Sequence, residues 1–281
     1  MRGNARGVRG RGVTLLVAGS LLVGCSVGGD DGGDDGGTAK SGSPSADATA
    51  RATPAPSTSS TSSSASSVSS VFTPDASLVP RTSKDGVALA DSVVLAPADW
   101  GRGFVAQQQA ASTPGTWAVL DDDCRWEREK LPAGVLAGSS RYSRLPAGGG
   151  KGAVKVTAAV TVHDSVLGAD EQLSTTLEEV LRCPDQQPRS NERITGLNSL
   201  GTPFGAREQE YADDSVLEAG QYVENGGAAQ PYSWMVARLG TVVVAVSVTG
   251  AKGNTEQELR QLGAEALAKM LERIQQRLKG N

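Results

Sequence analysis

The chain has 281 residues, 35 of them Gly, only 11 aromatic, and a formal charge of −4. So much Gly beside so few aromatics means that part of the chain cannot be packed core, while the rest suffices for one or two domains. The acidic balance leaves no electrostatic footprint for nucleic acid. No apolar run approaches the ~18–20 residues of a membrane-spanning helix, which excludes a polytopic membrane protein.

Residues 1–24 read as a signal peptide. Arg2, Arg6, Arg9 and Arg11 precede the apolar segment Val13–Val23, which has the length of a signal-peptide core and is too short to span a bilayer. The positive flank holds the segment's start on the cytoplasmic side. Leu22-Val23-Gly24-Cys25 follows, with small side chains that suit a narrow protease cleft. This motif resembles the lipobox of bacterial lipoproteins, which implies that the Cys25 thiolate takes a diacylglyceryl group. Each buried CH₂ contributes about 0.8 kcal/mol, so two or three acyl chains such as palmitate hold a soluble domain on the membrane. Loss of residues 1–24 removes four Arg and leaves a mature chain of −8. Such a chain has no polybasic patch for anionic lipid, so the covalent lipid is the whole anchor.

Residues 25–79 are expected to be a disordered tether. Ser, Thr, Gly, Ala and Pro dominate them, from Gly28-Gly-Asp-Asp to the run Ser57–Ser67. Little here offsets the entropy of ordering a backbone. A flexible stretch of this length spans roughly 40 Å and reaches about 150 Å when extended. The Ser/Thr/Pro composition suits an inert spacer and is compatible with O-linked sugar.

Residues 80–281 are expected to form one extracytoplasmic domain. Leu173, Leu177, Val180 and Leu181 fall at helical spacing and predict a helix over 169–182, with Asp170 and Glu171 near its positive end and Pro184 stopping it. A second helix is predicted over 255–278. Its apolar stripe runs from Leu259 to Leu278, Thr255-Glu-Gln-Glu258 fits a capping box, and Lys269, Arg273 and Arg277 complement its carbonyl end. Alternation and β-branching predict strands over 153–162, 232–238 and 241–248, the last two joined by a tight turn at Leu239-Gly240. Weaker strand signals lie at 116–120, 134–143, 204–212 and 217–224. The expected fold class is α+β: a mainly antiparallel sheet covered on one face by two helices, preceded by the signal peptide and linker.

With Cys25 committed to lipid, Cys124 and Cys183 form an even pair in a translocated domain, where a disulfide is the expected state. A redox or metal-binding pair is the alternative, but the spacing matches no CxxC or zinc pattern.

No catalytic constellation emerges, and no cofactor or resident metal is expected. The single His, His163, precedes Asp164 at a predicted strand end and reads as a solvated strand-end residue. No G-x-S-x-G elbow, H-E-x-x-H or phosphate loop is present. An envelope hydrolase would need His163, or carboxylates such as Glu178 and Glu179, to converge in a groove, and neighbours at i and i+1 on a helix point different ways. Asp121-Asp-Asp123 reads as a solvated turn rather than a Ca²⁺ loop. Gly148-Gly-Gly150 reads as a hairpin loop. Trp100, Trp117, Trp126 and Trp234 suit either an ordinary core, the more economical reading, or an apolar pocket. Trp126 and Trp234 are the candidate ligand contacts.

A set of segments supports a comparison: Leu120-Asp-Asp-Asp-Cys-Arg-Trp126, Val160-Thr-Val-His-Asp-Ser165, Leu181-Arg-Cys183, Val242–Val248 and Ala264–Met270. Over residues 90–278 this pattern resembles the PknH-like extracellular sensor domain, and more loosely other secreted lipoproteins of high-GC Gram-positive bacteria. Arg outnumbering Lys accords with such a genome. The resemblance implies an α+β sandwich with a cleft that binds an extracellular ligand. The family typically has two disulfides where this chain can form one, and no kinase domain is present. The expected function is a lipid-anchored, non-enzymatic binding or sensor-like lipoprotein on the outer face of the cytoplasmic membrane. Its partners would be that membrane, through the lipid, and a small molecule, wall component or protein. A structural or interaction lipoprotein is the alternative.

Overall fold

The structure is a computed structural model and describes residues 72–280. Cys25, the signal segment and most of the expected tether lie outside the described residues. Nine strands and four helices are present among those described, with seven strands in one sheet ordered β1-β4-β5-β9-β8-β7-β6. These are β1 (Val105–Ala111), β4 (Val135–Leu145), β5 (Val154–His163), β6 (Glu192–Ser199), β7 (Asp214–Glu224), β8 (Gln230–Leu239) and β9 (Val242–Thr249). Every neighbouring pair is antiparallel. A separate hairpin joins β2 (Thr116–Leu120) to β3 (Trp126–Lys130).

The helices occupy both faces of the sheet, not the one face expected. On the first face, α1 (Ser83–Val93) and α4 (Glu256–Leu278) share a core with Val154, Val156, Ala158 and Val160 of β5, and with Val242, Val244, Val246 and Val248 of β9. On the second, Ala169 and Leu173 of α2 (Val166–Arg182) pack on Val216, Val236, Val243 and Ala245. Strands have a period of two, so β9 with β-branched residues at nearly every position serves both layers; all eight of its residues are buried.

The predicted helices and main strands are observed within a few residues of their expected bounds. Ser165 Oγ caps α2 by accepting from the Gly168 N–H at 3.2 Å, and the Thr255–Glu258 capping box of α4 is formed. The buried stripe of α2 differs from the expected one. Ala169, Leu173 and Val180 face inward, whereas Leu177 and Leu181 are 39% and 84% exposed. Small Ala169 lets the helix approach the sheet along the i, i+4, i+11 line, which turns Leu177 and Leu181 outward.

The strand expected over 204–212 is instead a 3₁₀ turn, Gly205–Arg207, followed by the four-residue helix α3 (Glu208–Tyr211). Gly205 sits at φ +56°, outside the extended region, and Phe204 then stacks on Tyr211 with ring centroids 4.7 Å apart. The packed body also takes in residues assigned by composition to the tether: Phe72 lies against the main core, and the Asp75 N–H donates to the Leu278 carbonyl at 2.8 Å.

Candidate ligand-binding cleft

The β2–β3 hairpin stands over the second face of the sheet, beside α2, and the space beneath it is a cleft. Its position is set at both ends. At the tip, a disulfide joins Cys124 to Cys183, the residue that ends α2, with Cα atoms 5.5 Å apart. Arg182 donates to the carbonyls of Asp121 at 2.9 Å and Leu120 at 3.1 Å. Gln187 N–H donates to the Cys124 carbonyl, and Trp126 N–H donates back to the Gln187 carbonyl. The Trp126 indole N–H donates to Gln186 Oε1 at 2.8 Å, which fixes the ring plane. At the base, Gly138 of β4 lets the hairpin close down, because a Cβ there would meet the Thr116 carbonyl at 3.1 Å and Leu131 at 3.2 Å.

The main compartment has a volume of about 290 Å³. Its floor is built from side chains that alternate away from the Val layer: Ser140 and Tyr142 of β4, Thr157 and Ala159 of β5, Trp234 of β8 and Thr249 of β9. Trp126, Ala118 and Arg128 of the hairpin wall it. A second compartment of about 190 Å³ continues between the hairpin and α2, sharing Trp126, Trp234 and Ala159, and is bounded by Gln172, Thr176 and Glu179. Both Trp residues singled out as ligand contacts therefore line one cleft. Trp117 lines the second compartment; Trp100, 6% exposed, belongs to the main core, and Trp234 packs against the Ala169–Leu173 core as well as lining the cleft.

Charges in the cleft are largely paired among themselves. Lys155 lies 2.8 Å from Glu224 and 3.6 Å from Glu192, and Arg189 lies 2.9 Å from Glu192. Arg128 is held by the Thr116 carbonyl and hydroxyl, each at 2.9 Å. Burial, reinforced by the Glu192 carboxylate, holds the Tyr222 hydroxyl firmly protonated, and burial followed by the Glu218 carboxyl does the same for Tyr232.

Beside Trp234, on the neighbouring strand, lies a group that sequence reasoning missed. Glu218 of β7 is paired with Trp234 in the ladder, is 2% exposed, and its Oε1 has no hydrogen-bond partner among the described residues. Burial pushes its carboxyl up to about 8, with the nearby Glu179 adding to the rise. Burial pushes Glu179 up to about 7, against the pull of Arg182. The one available signal was a lone acid in the otherwise apolar run Val216-Leu-Glu-Ala219. The carboxyls brought near each other are thus Glu179 and Glu218; Glu178 is exposed.

His163 is buried, not solvated, at 4% exposure beneath the first turns of α2. Its Nε2 lies 2.7 Å from Gln172 Oε1, and burial holds its pKa below the ordinary value, so the ring is neutral. Its hydrogen-bond partner is an amide, which supplies no nucleophile. Asp121 closes the hairpin turn by accepting from the Asp123 and Arg125 N–H groups at 2.9 and 2.7 Å. Gly148 pairs with Lys151 across the β4–β5 loop. Among the described residues, no cluster of three or more His, Cys, Asp or Glu side chains is placed to hold a metal ion, and no helix is long and apolar enough to cross a membrane.

No family model matches the sequence, and no curated protein matches it. Similar solved structures include the extracellular domain of PknH from Mycobacterium tuberculosis, at 13% identity and TM-score 0.42, covering 71% of this chain and 98% of that one. An uncharacterised Mycobacterium smegmatis protein follows at 10% identity and TM-score 0.33, covering 65% and 97%. A Pseudomonas aeruginosa protein of unknown function has 9% identity and TM-score 0.26, covering 49% and 83%. The PknH extracellular domain, the comparison expected from the sequence, is among these neighbours. With every TM-score below 0.5, these likenesses carry no argument about function.

Proposed function

We propose that this chain is a lipid-anchored extracytoplasmic binding protein, without enzymatic activity, that holds its ligand in the cleft between the β2–β3 hairpin and the sheet. The observation that carries the reading is the convergence of Trp126 and Trp234 on one cavity. Concave sites that combine aromatic walls with a few placed polar groups are the usual form of a ligand pocket. Anchoring rests on Cys25, which follows a basic segment and an apolar run, and the Ser-, Gly- and Thr-rich stretch serves as the leash. The Cys124–Cys183 disulfide accords with an oxidising compartment.

A second reading has an observation of its own. Leu167, Leu177 and Leu181 of α2 are 67%, 39% and 84% exposed, a surface that suits a protein partner. One experiment separates the two. Hydroxyl-radical footprinting compares the protein in its own envelope with the purified chain. Binding in the cleft protects Trp126 and Trp234 in the envelope. Equal oxidation of both Trp residues contradicts it, and protection of Leu167, Leu177 and Leu181 instead favours the interaction reading. Fractionation of a Cys25→Ala variant tests the anchor: the variant leaves the membrane fraction if the lipid holds it.

A further inference from the structure

We infer that the ligand of this cleft is a neutral, polyhydroxylated compound of the oligosaccharide class. The inference rests on the binding reading above and adds the chemistry of what is bound. Three features of the cleft carry it.

The first is the aromatic surface. Trp126, Tyr142, Tyr222, Tyr232 and Trp234 all line the main compartment, five of the eleven aromatic residues of the whole chain. An aromatic face is electron-rich, and the C–H groups of a sugar ring, polarised by their neighbouring oxygens, pack flat against it. The Trp126 ring is held ready for such packing by its bond to Gln186.

The second is what lies between the rings. Gln107, Gln109, Ser140, Thr157, Ser247 and Thr249 present short amides and hydroxyls. Each of these groups both donates and accepts, as the hydroxyls of a sugar require. Gln107 Nε2 already donates to the Ser143 carbonyl at 3.0 Å, and a purely apolar ligand would desolvate the bonding capacity these groups have left, at a cost.

The third is charge. Lys155 and Arg189 are balanced by Glu192 and Glu224, and Arg128, whose donors Nε and one terminal nitrogen go to Thr116, keeps its charge. Glu127 is the remaining charged residue of the compartment and is exposed, where water screens it. Counting Glu224, three basic groups stand against three acidic ones, so the cleft offers a charged ligand no net counter-charge. A peptide bound as an added strand is disfavoured as well, because the floor is the face of central strands whose backbone groups are already paired in the ladder.

The test uses the full chain in a sugar-free polyoxyethylene detergent, applied to an array of neutral and uronic-acid-containing oligosaccharides. Retention on neutral members is expected. The same free oligosaccharide then shifts the Trp emission saturably. Trp234→Ala weakens the binding at least about tenfold, while Trp234→Phe, which keeps a ring, restores most of it. Gln109→Ala lies on an exposed edge strand and leaves folding intact; it weakens binding several-fold at unchanged Tm. Failure of every neutral oligosaccharide to bind, a preference for the acidic ones, or binding indifferent to both Trp234→Ala and Gln109→Ala overturns the inference. A bound mass of non-carbohydrate composition that is lost with Trp234→Ala overturns the inference while sparing the binding reading; absence of any cleft ligand removes both.

Discussion

Cys124 and Cys183, with Cα atoms 5.5 Å apart, bolt the tip of a hairpin to the end of the helix beside it and so hold open the cleft those two elements border. The bond closes a separation of 59 residues, for which the chain-entropy model gives about 4 kcal/mol. Reduction, or Cys124→Ser with Cys183→Ser, is expected to lower Tm by well over ~5 °C in calorimetry. It also frees the hairpin tip, so the Trp emission moves to the red before the global transition. A reduced protein with unchanged Tm and emission contradicts the role assigned to the disulfide.

The Glu218 carboxyl gives the fold a pH dependence of defined sign. Its pKa rises from an ordinary 4.5 to about 8 on folding, so the folded state binds the extra proton. The stability this provides is complete below pH 4.5 and drains away as pH climbs towards 8. His163 acts oppositely: burial holds it below its ordinary 6.5, so its contribution falls as pH drops through that range. Glu218→Gln keeps the shape and removes the ionisation. We expect it to raise stability by about 2–4 kcal/mol near pH ~9 and by little near pH ~4, read from urea midpoints. An equal effect at both pH values contradicts the buried, protonated carboxyl.

The orientation of α2 is tested by a pair of substitutions. Leu173→Ala empties a fully enclosed site and is expected to cost about 2–5 kcal/mol. Leu181→Ala removes an 84% exposed side chain and should stay within about 0.5 kcal/mol of wild type. Helical spacing alone treats the two leucines alike, so similar losses would restore the face expected from the sequence.

That difference marks where the sequence is legible. Strand β9 and helix α4 are plain because their periodicity is carried by residues buried on defined faces. Helix α1 is not, because Ser83–Val93 contains Gly86, Asp85 and Asp91 and owes its place to packing on β4 and α4. Strand β1, Val105–Ala111, is an edge strand with most residues exposed and shows no alternation. The cleft is a tertiary object: Trp126 and Trp234 could be nominated singly, but only the antiparallel register that sets Trp234 beside Ser247, with the hairpin bolted overhead, brings them together. Glu218 was hidden for the same reason, since a single acid in a strand does not announce whether it faces water.

Gly138 offers a steric probe of the cleft that leaves its chemistry alone. A side chain there presses on the Thr116 carbonyl and on Leu131, both at the hairpin's base. Gly138→Val should lift the hairpin from the sheet, cost about 1–3 kcal/mol by overpacking, and increase hydrogen exchange in β2 and β3 while β5 and β9 stay protected. Uniform exchange throughout the sheet would mean that the hairpin is not an independent wall.

The central claim, that the space beneath the hairpin is a binding site, is tested most directly by native mass spectrometry of the full-length protein extracted from its own membrane, wild type beside Trp234→Ala. The account predicts a non-covalent adduct on the wild type that Trp234→Ala lacks, with both chains still folded and oxidised. Identical spectra for the two proteins, or an adduct that survives Trp234→Ala but is lost with Leu181→Glu, would contradict it.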